Sequence, residues 1–246
     1  KNVMIARRKN SSLQAVGRDL KGRRVYLYSK QFSEKNAAAK FTRLKKFHEV
    51  YPALMKIIES RALRNEEAAV LYLIAKTGFR IGSEKDTKAK KKAYGASTLE
   101  KQHIRIDGDK IKFHFIGKKG VMIDKTIADP LLAKIISAKL NRKQNQIFKT
   151  DDGRARSYLK SLPGGKPFLV KDFRTYIGTE VALKEINRVP KSKVPSNGTQ
   201  LKKRLREIAE KVAKVLGNTP AVALRSYIAP EIFSFWNYQV QRTQNV

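Results

Sequence analysis

The stretch Asn65-Glu66-Glu67-Ala68-Ala69-Val70-Leu71-Tyr72-Leu73-Ile74-Ala75-Lys76-Thr77-Gly78-Phe79-Arg80-Ile81-Gly82 decides the fold class. Asn65 is a helix N-cap, two glutamates occupy the first turn, and Gly78 is the C-terminal stop. The eight residues from Ala68 to Ala75 are apolar on every face, so this helix is buried among other elements. Outward from it, Ser33-Glu34-Lys35-Asn36 opens a helix with Ala37, Phe41, Leu44 and Tyr51 on one face, and Pro52 is expected to interrupt it. On the other side, residues 83–102 are Lys-rich and read as a loop. Ile104, Ile106, Asp107-Gly108, Ile111, Phe113 and Phe115 spell a β-hairpin, and Val121-Met122-Ile123 adds a third strand. Asp129-Pro130 opens another helix, and further helices are expected near 154–161, 168–186, 199–216, 220–228 and 230–239. The fold class is α+β: a mainly helical domain over 33–246 with a small antiparallel sheet. Residues 1–32, with one strand at Val25-Tyr26-Leu27-Tyr28, are too few to fold alone and read as the end of a preceding β-containing domain.

Charge then narrows the partner. The 246 residues hold 54 Lys+Arg against 21 Asp+Glu, a net charge of +33, and the basic residues occur on nearly every segment. Duplex DNA offers about one negative charge per 1.7 Å of axis, so duplex nucleic acid is the leading partner. A ribosome-associated protein and a membrane-surface binder are the plainer alternatives. The chain has no cysteine and three histidines, which removes thiolate zinc sites, disulfides and cysteine nucleophiles; no metal site and no cofactor are expected. His48, His103 and His114 read as structural. No long apolar run and no leader pattern mark a membrane protein, so an intracellular protein working on DNA is expected.

Candidate chemistry rests on Arg, Lys and Tyr in places where a helical core does not favour them. Arg80 follows a buried helix between two glycines, Lys118 stands at a strand tip in Gly117-Lys118-Lys119-Gly120, and Arg174 lies among core-like Val170, Phe173 and Ile177. Tyr227 lies on a short helix after Gly217-Asn218-Thr219-Pro220. Each has a plain alternative. Arginine after a helix end often serves its last carbonyls, a Gly-Lys-Lys-Gly turn is often solvated, and helical Arg and Tyr often only pack.

Taken in order, Arg80, Lys118, Lys171-x-x-Arg174, Asn218 and Tyr227 resemble the type IB DNA topoisomerases, in the poxvirus-like and bacterial branch. Gly17-Arg18-Asp19, Gly22-Arg23 with Tyr26 and Tyr28, Tyr94-Gly95-Ala96-Ser97-Thr98-Leu99 and Ser226-Tyr227-Ile228-Ala229-Pro230 extend the likeness from about Leu13 to Trp236. The resemblance implies a monomer that closes as a clamp on duplex DNA, here without most of its N-terminal domain; Lys1 in place of an initiator Met agrees with a fragment. It also implies relaxation of supercoils through a 3′-phosphotyrosyl intermediate, without ATP or metal. Tyr227 would be the nucleophile, Arg80 and Arg174 the phosphate clamp, Lys118 the general acid with Lys119 as its rival, and Asn218 a neutral donor where poxviral relatives carry His. Tyr26, Tyr28, Lys85, Tyr94, Lys119 and Lys171 are the candidate DNA contacts. Ser83 stands where poxviral members place a Lys, and the Lys88-to-Lys92 run is altered, so no cleavage-sequence preference carries over. A tyrosine recombinase, which shares the catalytic logic but usually shows His-x-x-Arg, and a non-catalytic DNA-binding protein are the competing readings.

Overall fold

A computed structural model describes residues 3–20, 22, 24–89 and 91–244. Lys1, Arg23 and Lys90, which belong to the motifs above, lie outside the described residues. The chain divides into two compact units, Lys1–Lys46 and Phe47–Val246.

The first unit holds a three-stranded antiparallel sheet of β1 (Met4–Ile5), β2 (Leu13–Arg18) and β3 (Arg24–Tyr28), with Met4 opposite Val16 and Val16 opposite Tyr26. Only β3 was legible beforehand. The other two strands carry no alternation because the sheet is largely exposed along its length, so no buried face imposed a period of two. Helix α1 (Lys30–Arg61) starts in this unit and ends in the second. It runs through Pro52 without a break, contrary to expectation. A helical proline costs about 3 kcal/mol. Leu54, Met55 and Ile58, all nearly inaccessible, each return about 1.5–3 kcal/mol by staying helical and buried.

In the second unit, α2 (Glu66–Thr77) forms as its caps demand. Asn65 Oδ1 accepts from the Ala68 amide at 2.7 Å, and Gly78, in the left-handed region at φ 71°, donates to the Ile74 carbonyl at 2.8 Å. Ala68 through Ile74 are all buried. The Lys-rich stretch is more ordered than the expected loop: α3 (Glu84–Thr87) is followed by 3₁₀ turns at Ala96–Thr98 and Lys101–His103, with Ala96, Ser97, Thr98 and Leu99 buried. Strands β4 (Ile104–Asp107), β5 (Lys110–Ile116) and β6 (Met122–Ala128) form a second antiparallel sheet, Phe113 facing Lys125 and Phe115 facing Ile123. Ile111, Phe113 and Phe115 turn inward as the alternation requires. Helices α4 (Pro130–Leu140), α5 (Asp152–Ser161), α6 (Val170–Asn187), α7 (Gly198–Leu216) and α8 (Pro220–Tyr227) follow near their expected bounds. The last expected helix is split into a 3₁₀ turn, Pro230–Phe233, and α9 (Ser234–Gln244). Ala182 of α6, Ile208, Val212 and Leu216 of α7, Ala223 of α8, and Trp236 of α9 share one core, which brings α8 and the C-terminal end of α7 together.

Candidate active site

Arg80 has its backbone clamped. The Arg80 carbonyl accepts from the Ala96 amide at 2.8 Å, and the Ile81 carbonyl accepts from the Ser97 amide and hydroxyl, both at 2.7 Å. This is the service of the Tyr94-to-Leu99 motif. Gly95 lies so close to the Arg80 loop that a Cβ there would sit 2.6 Å from the Arg80 carbonyl oxygen.

Arg174 is 3% exposed on α6. Its Nη1 donates to the Gly78 carbonyl and its Nη2 to the Leu216 carbonyl at 3.0 Å, while Nε is buried with no protein acceptor. Arg80 Nη1 donates to the Gly217 carbonyl at 3.3 Å. The Arg174 guanidinium carbon lies 4.9 Å from the centre of the Tyr227 ring. Burial pulls the Arg174 guanidinium down to about 10; the Tyr227 phenol opposes that shift and Arg80 adds to it. Burial by itself raises the Tyr227 phenol, but the charge and side-chain hydrogen bonds of Arg174 and then Arg80 outweigh it, leaving the phenol below its ordinary value.

Tyr227 is the last residue of α8, and α6 holds it in place. Thr179 Oγ1 donates to the Tyr227 carbonyl at 3.4 Å and accepts from the Ala229 amide at 3.1 Å. Gly178 lets the helices touch, since a Cβ there would lie 2.4 Å from the Tyr227 carbonyl oxygen.

A cavity of about 470 Å³ is lined by Arg80, Lys118, Arg174 and Tyr227, and also by Tyr94 and Lys171. Four of the five residues expected to carry chemistry, distant in sequence, thus meet at one opening. Lys118 is exposed on a turn after β5; its neighbour Lys119, at φ 66°, does not line the cavity. Asn218 does not line it either. Its amide nitrogen and oxygen are buried without protein partners, and its backbone N–H donates to the Ala213 carbonyl at 3.1 Å. Lys85 is exposed on α3 and stands outside the lining. Tyr94 packs against His103, ring centres 4.2 Å apart, and burial with the Glu100 carboxylate raises its phenol. Tyr26 and Tyr28 lie on β3 of the first unit, about half exposed.

Three contributors escaped the sequence reading. Gly178 and Thr179 gave no signal, because their value depends on α8 crossing α6. Lys125 gave one: it stands in phase with Ile123 and Ile127 on β6, an inward position where a strand does not favour lysine. Among the described residues no group of three or more His, Asp or Glu side chains is placed to hold a metal ion, and no helix is long and apolar enough to cross a membrane.

Residues 29–239 match the family described as "Eukaryotic DNA topoisomerase I, catalytic core". The chain is 26% identical over 264 residues to the DNA topoisomerase 1B of Acanthamoeba polyphaga mimivirus, a match covering 99% of this chain and 76% of the relative. It is 26% identical to the DNA topoisomerase 1 of rabbit fibroma virus (92% and 72% covered) and 28% identical to the DNA topoisomerase 1B of vaccinia virus, strain Copenhagen (88% and 70% covered). The family match spans α2, the second sheet and α6 to α8, so it contains every element that brings a side chain to the Tyr227 cavity. The chain belongs to the type IB DNA topoisomerases, in their poxvirus-like branch.

Proposed function

We propose that this protein relaxes supercoiled duplex DNA as a monomer, by cutting one strand, letting it rotate and resealing it. Tyr227 Oη attacks the phosphorus, an O–P bond forms to the tyrosine and the P–O5′ bond breaks, leaving a 3′-phosphotyrosyl link and a free 5′-hydroxyl. Lys118 supplies the proton that O5′ takes up, and Tyr227 gives its own proton to solvent. Rotation of the free end is followed by the reverse attack. The phosphodiester's energy is kept in the tyrosyl ester, so the cycle needs no ATP, and the guanidiniums of Arg80 and Arg174 carry the charge stabilisation for which a metal would otherwise serve. The buried Nε of Arg174, a residue of the cavity wall, is a donor without an acceptor, a cost of about 1–3 kcal/mol that a phosphate oxygen would relieve. Lys118 rather than Lys119 is the acid because only Lys118 faces the cavity. Lys171 and Tyr94 contact the phosphates beside the scissile one, and Lys85, Lys119, Tyr26 and Tyr28 are further contacts to the duplex.

The observation that carries this reading is the single cavity in which a tyrosine with a lowered phenol faces two arginines and a lysine, all from one chain. A duplex that loses its 5′ fragment after cleavage should trap the protein as a covalent adduct. Tyr227→Phe should yield none; an adduct that survives this substitution removes Tyr227 from the reaction. Plasmid should be relaxed without ATP and with EDTA present; a protein that relaxes nothing but joins two specific sites would be a recombinase instead.

A further inference from the structure

The cations around Tyr227 share a common seat. Three successive carbonyls at the end of α7 go to three different side chains: Val215 to Lys125 Nζ at 3.1 Å, Leu216 to Arg174 and Gly217 to Arg80. The end of α2 repeats the pattern, with the Thr77 carbonyl on Lys125 Nζ at 2.6 Å and the Gly78 carbonyl on Arg174. These carbonyls have no partner within their own helices and carry the partial negative charge of a helix C-terminus, which suits cations. Lys125 and Arg174 therefore each cross from α2 to α7, one residue apart on both helices.

Lys125 does not line the catalytic cavity. It faces a separate one of about 330 Å³, lined also by Phe79, Ile123, Val215 and Leu216. Lys125 therefore reaches a phosphate at Tyr227 only indirectly, through the carbonyls it shares with the arginines' helix ends and through its repulsion with Arg174. Burial, and secondarily Arg174, pulls its amine down to about 8, so the fold keeps this ammonium against its own preference for water.

We propose that Lys125 is a positioning residue for strand transfer: by tying the last carbonyl of α2 to that of Val215 in α7, it sets the spacing at which Gly78 and Leu216 hold Arg174 and Gly217 holds Arg80. This rests on the reading of Tyr227 as nucleophile and of the two arginines as its phosphate clamp. A change in that spacing moves both guanidiniums off the phosphorus while leaving the duplex contacts intact.

The test compares Lys125→Met and Lys125→Arg with wild type in three measurements: rate of adduct formation on the trapping duplex, equilibrium duplex binding in a Tyr227→Phe background, and thermal unfolding. Lys125→Met should slow adduct formation about 10- to 100-fold and leave binding within about threefold, and Lys125→Arg, which keeps charged donors for both carbonyls, should recover most of the rate. Adduct formation by Lys125→Met within about threefold of wild type overturns the proposal, as does a parallel fall in binding and rate, or an arginine variant no better than the methionine one. A Lys125→Met protein without a cooperative melt assigns the lysine to folding and also overturns it. If wild type itself forms no Tyr227-dependent adduct, the nucleophile reading fails, which is a different result from any of these.

Discussion

Lys125 and Arg174 show how single residues carry charge into a place that opposes it. For Lys125 burial holds the folded amine down to about 8, against 10.5 for the ordinary amine. Between those pH values the unfolded chain holds a proton that the folded chain has released, so stability contributed by this group rises with pH across the window and is lost as pH falls through about 8. Wild type should therefore gain melting temperature relative to Lys125→Met between pH 8 and 10.5, as read by paired thermal melts; a flat difference would show that the amine is not perturbed. The candidate residues were legible to different degrees at this scale. Arg80, Lys118, Arg174 and Tyr227 were visible because each interrupts a local pattern, whereas Thr179 is an ordinary helical threonine until its hydroxyl meets the Tyr227 carbonyl.

At the scale of elements, caps and alternation carried most of the assignment. Asn65 with Gly78 bounded α2, Asp129 with Pro130 opened α4, and Ile111, Phe113 and Phe115 gave β5. Two departures have one origin: burial gained elsewhere overrode the local signal in α1 at Pro52, and its absence erased the signal in β1 and β2. The crossing of α6 and α8 is where an element controls chemistry, because Gly178 leaves no room for a methyl group. Gly178→Ala should push the Tyr227 backbone away and cut adduct formation by about 100-fold, at a stability cost of about 1–3 kcal/mol and with duplex affinity kept. Single-turnover cleavage beside a binding titration checks it, and equal losses in both would place Gly178 in DNA contact instead.

For the whole molecule the net charge of +33 is the dominant property. If six to ten phosphates are neutralised, duplex affinity should fall about 10³- to 10⁵-fold between 50 and 200 mM salt, and Lys171→Ala should reduce the slope of log affinity against log salt by about 1. Fluorescence anisotropy over a salt series measures both; an unchanged slope would return Lys171 to solvent. The sequence by itself determined the helix-rich α+β class, the preference for a polyanionic partner and the ordered set from Arg80 to Tyr227, because capping, periodicity and residue chemistry act over a few neighbours. Only the tertiary structure decided that Lys118 and not Lys119 faces the cavity, that Asn218 lies beside rather than in it, and that Lys125 joins the arginines on the ends of α2 and α7. Those relations depend on where helix termini meet across more than a hundred residues of chain, and no local pattern encodes the direction in which a free carbonyl points.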